Sequence, residues 1–132
     1  MFTKRILILE DDLEAVSLIL KSLKNLEDQM LDKNIDFAVT VLSEYNQVEE
    51  YINKTKTNFD VIFLDRDCKA GGSFHILDFE KFKNSKIISI SSIPEWNEEA
   101  KKRGVKIAIR KDYNNLWEFA QALIEEVKKT LK

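Results

Sequence analysis

A run of four aliphatic residues, Ile6-Leu7-Ile8-Leu9, is cut off abruptly by Glu10-Asp11-Asp12, and this juncture constrains the fold more than any other feature. An unbroken apolar run of strand length fits a strand covered on both faces, as in a parallel sheet flanked by helices. The period then changes. Leu13, Val16, Leu20, Leu23 and Leu26, with Ile19 alongside, recur at three- and four-residue spacing and predict an amphipathic helix. Asp12 suits its N-cap, and Glu14 suits the positive end of its dipole. The same pairing of apolar run and helical stretch continues along the chain. Ile35 to Leu42 is β-branched and aromatic enough for a second strand, and Val48 to Ile52 reads as a short helix ended near Asn53. Phe59 to Leu64 predicts a third strand that stops at Asp65-Arg66-Asp67. A Gly71-Gly72 turn follows, then a short helical stretch through Ile76, Leu77 and Phe82. Lys86 to Ile90 predicts a fourth strand ending in Ser91-Ser92. The helix over Glu95 to Arg103 starts after Pro94 and stops at Gly104. Val105 to Ile109 gives the fifth strand. A last helix from about Asn114 carries Leu116, Phe119, Ala120, Leu123, Ile124 and Val127 on its apolar face.

Five alternations of strand and helix predict an α/β domain, a parallel sheet with helices on both faces. A chain of 132 residues can bury such a core without disulfides or metals to staple it. Its 44% hydrophobic and 33% charged residues are the balance of an ordinary globular protein. The 21 basic and 23 acidic residues leave a net charge of −2, which implies no nucleic-acid partner. A single cysteine, Cys68, excludes an internal disulfide and any multi-cysteine metal site. The apolar stretch before Glu10 is too short for a signal-peptide core or a membrane span, so a cytoplasmic protein with no membrane partner is expected.

In open parallel sheets, ligands bind outside the carboxyl ends of the strands, at the switch point of strand order. The predicted strand ends are polar in a suggestive way: Glu10-Asp11-Asp12, Asp65-Arg66-Asp67, Ser91-Ser92 and Arg110-Lys111-Asp112. Clustered carboxylates without a cation repel one another, which makes a bound divalent ion physically reasonable.

This ordered set resembles the receiver domains of two-component response regulators over nearly the whole chain. Ile6 to Asp12 looks like that family's first strand and acid pair, and Val61 to Asp65 like its phospho-acceptor strand. Ile87 to Ser92 looks like the strand that ends in its hydroxyl residue. Ala100 to Val105, with Lys111 seven residues after Gly104, looks like the approach to its lysine. The resemblance implies a flavodoxin-like (CheY-like) fold with strand order 2-1-3-4-5 and a stand-alone receiver over residues 1–132 without an output domain. It also implies a set of roles. Asp65 would be the phospho-acceptor. Glu10, Asp11 and Asp65, with the backbone carbonyl of Asp67, would hold Mg²⁺. Ser91 and Lys111 would contact the phosphoryl oxygens. The implied partners are a histidine kinase or phosphotransferase and a target protein, with the chain monomeric or weakly dimeric.

Three positions depart from the family pattern. Asp112 replaces the proline that follows the lysine in a cis peptide, and Ala108 replaces the aromatic three residues before it. The loop Arg66-Asp67-Cys68-Lys69-Ala70-Gly71-Gly72-Ser73 lacks proline and carries a shifted glycine. The Asp11–Asp65 gap is about ten residues longer than the family's, and the first helix and the loop after it are the expected place for the excess. Two other readings fit parts of the pattern. One is a receiver-like interaction domain that is never phosphorylated, suggested by Ala108 and Asp112. The other is a phosphatase of the haloacid-dehalogenase type, with Asp65 as nucleophile, Asp67 as general acid, and Ser91 and Lys111 in supporting positions. Elsewhere, His75 is expected as a surface or loop histidine and Cys68 in the core. Trp117 is expected to pack on the sheet, and Trp96 to mark an exposed contact surface.

Overall fold

The structure, a computed structural model, describes residues 1–68 and 71–131. Lys69 and Ala70, part of the loop singled out above, lie outside the described residues, as does Lys132. Strands β1 (Phe2–Leu9), β2 (Ile35–Leu42), β3 (Val61–Leu64), β4 (Lys86–Ser89) and β5 (Ile107–Ala108) form one sheet in the order β2-β1-β3-β4-β5. Every neighbouring pair is parallel. The fold class and strand order are those expected.

The connections explain how the sheet is covered. Helix α1 (Leu13–Gln29) follows β1, and Asp12 caps it by accepting from the Glu14 N–H at 3.1 Å. This helix has 17 residues, and a 3₁₀ turn, Leu31–Lys33, follows it. Asn34 closes that turn in the left-handed region (φ 60°), a conformation asparagine tolerates better than most residues. Helix α2 (Tyr45–Gln47) runs into a π-helical turn over Val48–Ile52. The stretch through Ile76 to Phe82 is not a helix. Only a 3₁₀ turn, Phe74–Ile76, forms there, followed by turns, so the crossover between β3 and β4 is mostly irregular. Helices α3 (Pro94–Lys102) and α4 (Leu116–Lys128) complete the chain, α4 capped by Asn115.

Side chains alternate across each strand, so the sheet has two cores. Ile6 and Ile8 of β1, with Val61, Phe63 and Ile88, pack with α1 and α4. Leu7, Leu9, Ile62 and Leu64 pack on the other face with Val48, Phe74, Phe82, Ala100 and Val105. Two members of the expected α1 stripe fall outside the core. Leu13 is 67% exposed and Leu20 is also solvent-facing, while Ala15 and Ser22 are buried instead, because the face is set by how the helix lies on the sheet. Trp117 is 54% exposed and does not pack on the sheet, since Leu116 and Phe119 take the inward face of α4. Among the described residues, no helix is long and apolar enough to cross a membrane.

Candidate functional site

The chain enters the sheet at β1, passes to one edge at β2, and returns to the other side at β3. The switch point of strand order therefore lies between β1 and β3. Leu9 and Leu64 are register partners, and the Asp65 N–H donates to the Leu9 carbonyl at 3.0 Å. This places Glu10 and Asp65 side by side one residue past the paired strands. Carboxylate oxygens of Glu10, Asp11 and Asp65 all lie within 4.8 Å of one another.

Lys111 reaches the same place from the sheet edge. Beyond the short β5, the Ile109 N–H donates to the Ser89 carbonyl (2.8 Å) and the Lys111 N–H to that of Ser91 (3.2 Å), so the chain keeps running beside β4 to its end. All peptide bonds are trans among the described residues, the Lys111–Asp112 bond included. Asp112 builds a turn after Lys111. Its carboxylate accepts from the Asn114 N–H at 2.9 Å and its carbonyl from the Asn115 N–H at 3.0 Å.

The electrostatics follow from burial. Glu10 is fully buried, and its Oε2 accepts from the N–H groups of Asp11 (2.9 Å) and Asp12 (3.2 Å). The Lys111 ammonium donates to Glu10 Oε1 and, at 3.0 Å, to Asp65 Oδ2. Burial and the neighbouring charge of Asp65 push the Glu10 carboxyl up to about 8, although Lys111 opposes them. Burial alone would lower Lys111, but the charges of Asp65 and Glu10 outweigh it and hold the ammonium above its usual range. Glu10 holds its proton at neutral pH, and the three carboxyl groups still offer more oxygen donors than the single ammonium occupies, a setting open to a divalent cation. Hard oxygen donors of this kind suit Mg²⁺ or Mn²⁺.

Ser91, two residues beyond β4, is buried in a network centred on a residue the sequence did not single out. The Asn97 amide of α3 accepts from Ser89 Oγ (2.6 Å) and the Ser91 N–H (3.0 Å), and donates to the Ser91 carbonyl (3.0 Å). Ser91 Oγ accepts from the Ile93 N–H at 3.1 Å, and among the described residues its hydroxyl proton has no acceptor. Asp67 stands apart. Its exposed carboxylate pairs with Arg66 at 2.8 Å, outside the acidic cluster, and its backbone forms an antiparallel bridge with Ser73. Ala108 occupies the end of β5, half-buried.

Two side chains, His75 and Trp96, sit differently from expectation. His75 is buried rather than on the surface, 5% exposed, with Glu99 Oε1 3.7 Å from its Nδ1. Burial lowers its pKa, and Arg103 and Arg66 add to this against the pull of Glu99. Trp96 is half-buried beneath the Arg66 guanidinium, 4.6 Å from the ring centroid. Cys68 packs in the core as expected, its thiol directed at the Gly71 carbonyl (3.2 Å). No local signal marks His75 or Asn97, because their partners lie on other elements.

No family model matches the sequence, and no curated protein does. Solved structures do match. The Mn²⁺-bound form of response regulator Rcp1 superposes with a TM-score of 0.72 at 15% identity, covering 91% of each chain. Chemotaxis response regulator CheY4 of Vibrio cholerae gives 0.66 at 16% identity, over 95% of this chain and 98% of that one. Response regulator TrrA of Thermotoga maritima, in complex with Mg²⁺-BeF, gives 0.57 at 18% identity over 96% and 98%. TrrA also appears in complex with the histidine kinase ThkA, matching with a TM-score of 0.55 at 20% identity over 98% and 99%. The fold of this chain is that of the response-regulator receiver domains.

Proposed function

We propose that this chain is a receiver that accepts a phosphoryl group on Asp65 with the help of Mg²⁺ and signals by phosphorylation-dependent protein binding. The observation that carries this reading is the convergence of Glu10, Asp11, Asp65 and Lys111 at the switch point between β1 and β3. In the transfer, a carboxylate oxygen of Asp65 attacks phosphorus. The bond from phosphorus to the donor atom breaks, and that atom leaves with the electron pair. Glu10, Asp11 and Asp65 offer the oxygens for the metal, with the Asp67 carbonyl as a further ligand. Bound there, a divalent cation supplies positive charge to the developing charge on the phosphoryl oxygens. Lys111 gives a second, fixed positive charge, and the uncommitted Ser91 hydroxyl proton is a donor for another phosphoryl oxygen.

The phosphoryl source is a histidine kinase or phosphotransferase, a reading supported by the TrrA–ThkA complex. A phosphatase reading would need the Asp67 carboxylate as general acid, but that group is tied up by Arg66. Beryllofluoride, a phosphoryl mimic, tests the acceptor site. With Mg²⁺, fluorine NMR is expected to show a bound species in the native protein and none in Asp65→Asn. Absence of a bound species in the native protein would contradict the reading and favour an interaction domain that is never phosphorylated.

A further inference from the structure

A chain of contacts leads out of the pocket from Asp65, away from Ala108 on β5. The Arg66 N–H donates to Asp65 Oδ1 at 2.8 Å, on the same carboxylate that Lys111 holds by Oδ2. The Arg66 side chain runs to α3: its Nε pairs with Glu99 Oε2 at 3.0 Å and its guanidinium lies over the Trp96 ring at 4.6 Å. Trp96 and Glu99 are three residues apart and so share one side of the helix. A third contact, Nη1 to Asp67 at 2.8 Å, fixes the fork.

The way α3 is seated gives this route its consequence. Helices α1 and α4 each bury several large apolar side chains, whereas α3 buries only Asn97 and Ala100. Its position rests largely on polar ties, Asn97 to the end of β4 and Glu99 with Trp96 to Arg66. An element with so little apolar anchorage is readily biased by a change in one polar contact.

Resting on the phospho-acceptor reading, we infer that Arg66 is a positioning residue that passes the state of Asp65 to α3, through Glu99 and Trp96. When phosphorus bonds to Asp65, one carboxylate oxygen becomes the bridging oxygen and the negative charge moves to the phosphoryl group. The Arg66 N–H then loses a charge-assisted acceptor and keeps at most a weaker neutral one. The peptide after Asp65 shifts, and the guanidinium, planar and held at three points, carries that shift to α3.

Trp96 is a built-in reporter once Trp117 is replaced. In Trp117→Phe protein, beryllofluoride with Mg²⁺ is expected to change Trp96 emission in step with the occupancy read by fluorine NMR. In Trp117→Phe with Glu99→Gln, occupancy is expected to persist while the emission change is lost. Arg66→Gln, which cuts the same pair from the other side and keeps the backbone N–H, is expected to behave alike. An unchanged emission response in both double variants, or occupancy without any response in Trp117→Phe alone, would overturn the inference and leave the acceptor site standing. No occupancy in Trp117→Phe would overturn both.

Discussion

At the scale of single residues, the pocket is an exercise in buried charge. Lys111 is 3% exposed and shared between two carboxylates, so removing it leaves both uncompensated. Breaking a buried pair from one side costs about 3–5 kcal/mol. Urea denaturation without divalent metal should therefore show Lys111→Met destabilised by roughly that amount. Glu10 adds a pH dependence whose sign is fixed. Its folded value of about 8 lies above the 4.5 of an unperturbed glutamate, so the folded state holds the proton more tightly. That contribution is full below about pH 4.5 and is lost as pH rises through about 8. In metal-free buffer, stability should decline over this window, and the decline should flatten in Asp65→Asn, which removes the neighbouring charge. The carboxylates were legible in the sequence because each interrupts an apolar run at a strand end, where the chain must stop pairing. His75 and Asn97 were not. What buries His75 is packing near Glu99 and Arg103, 24 and 28 residues away, and Asn97 has meaning only through its fit to the end of β4.

Among the elements, α3 and β5 depart furthest from a simple reading. The two residues of β5 hold their place through bonds to β4, and the chain beyond them delivers Lys111 without regular strand pairing. Asn97 does the equivalent work for α3. Asn97→Ala would leave the Ser89 hydroxyl and the Ser91 N–H without their partner in a buried place, while the Ser91 carbonyl keeps the Lys111 N–H. Each buried polar group left unsatisfied costs about 1–3 kcal/mol, partly recovered by relaxation. Thermal or urea unfolding of Asn97→Ala should show a loss of about 2 kcal/mol or more. Hydrogen exchange should locate the loosening at α3 and the end of β4 and spare α1 and α4. Periodicity revealed α1 and α4 because their apolar faces rest on the sheet. It failed for the Ile76–Phe82 stretch, where Leu77 and Phe82 are buried from turns rather than from a helix. Short apolar spacings alone do not distinguish these cases.

For the whole molecule, the parallel sheet was legible from its apolar runs, and the order β2-β1-β3-β4-β5 brings the acidic strand ends together. The departures at Ala108 and Asp112 leave that convergence intact. The trans Lys111–Asp112 peptide accompanies a buried lysine in contact with Asp65, and the Asp112 turn provides the local geometry. The proposed acceptor site at this convergence is thus joined to a proposed route through Arg66 for reading it. The central claim is that Asp65 takes a phosphoryl group, and intact-mass measurement after incubation with Mg²⁺ and a small-molecule phosphodonor tests it most directly. The account predicts a gain of one phosphoryl group that survives acid, is lost in base, needs the metal, and is absent in Asp65→Asn. No gain in the folded native protein, or an equal gain in Asp65→Asn, would contradict it.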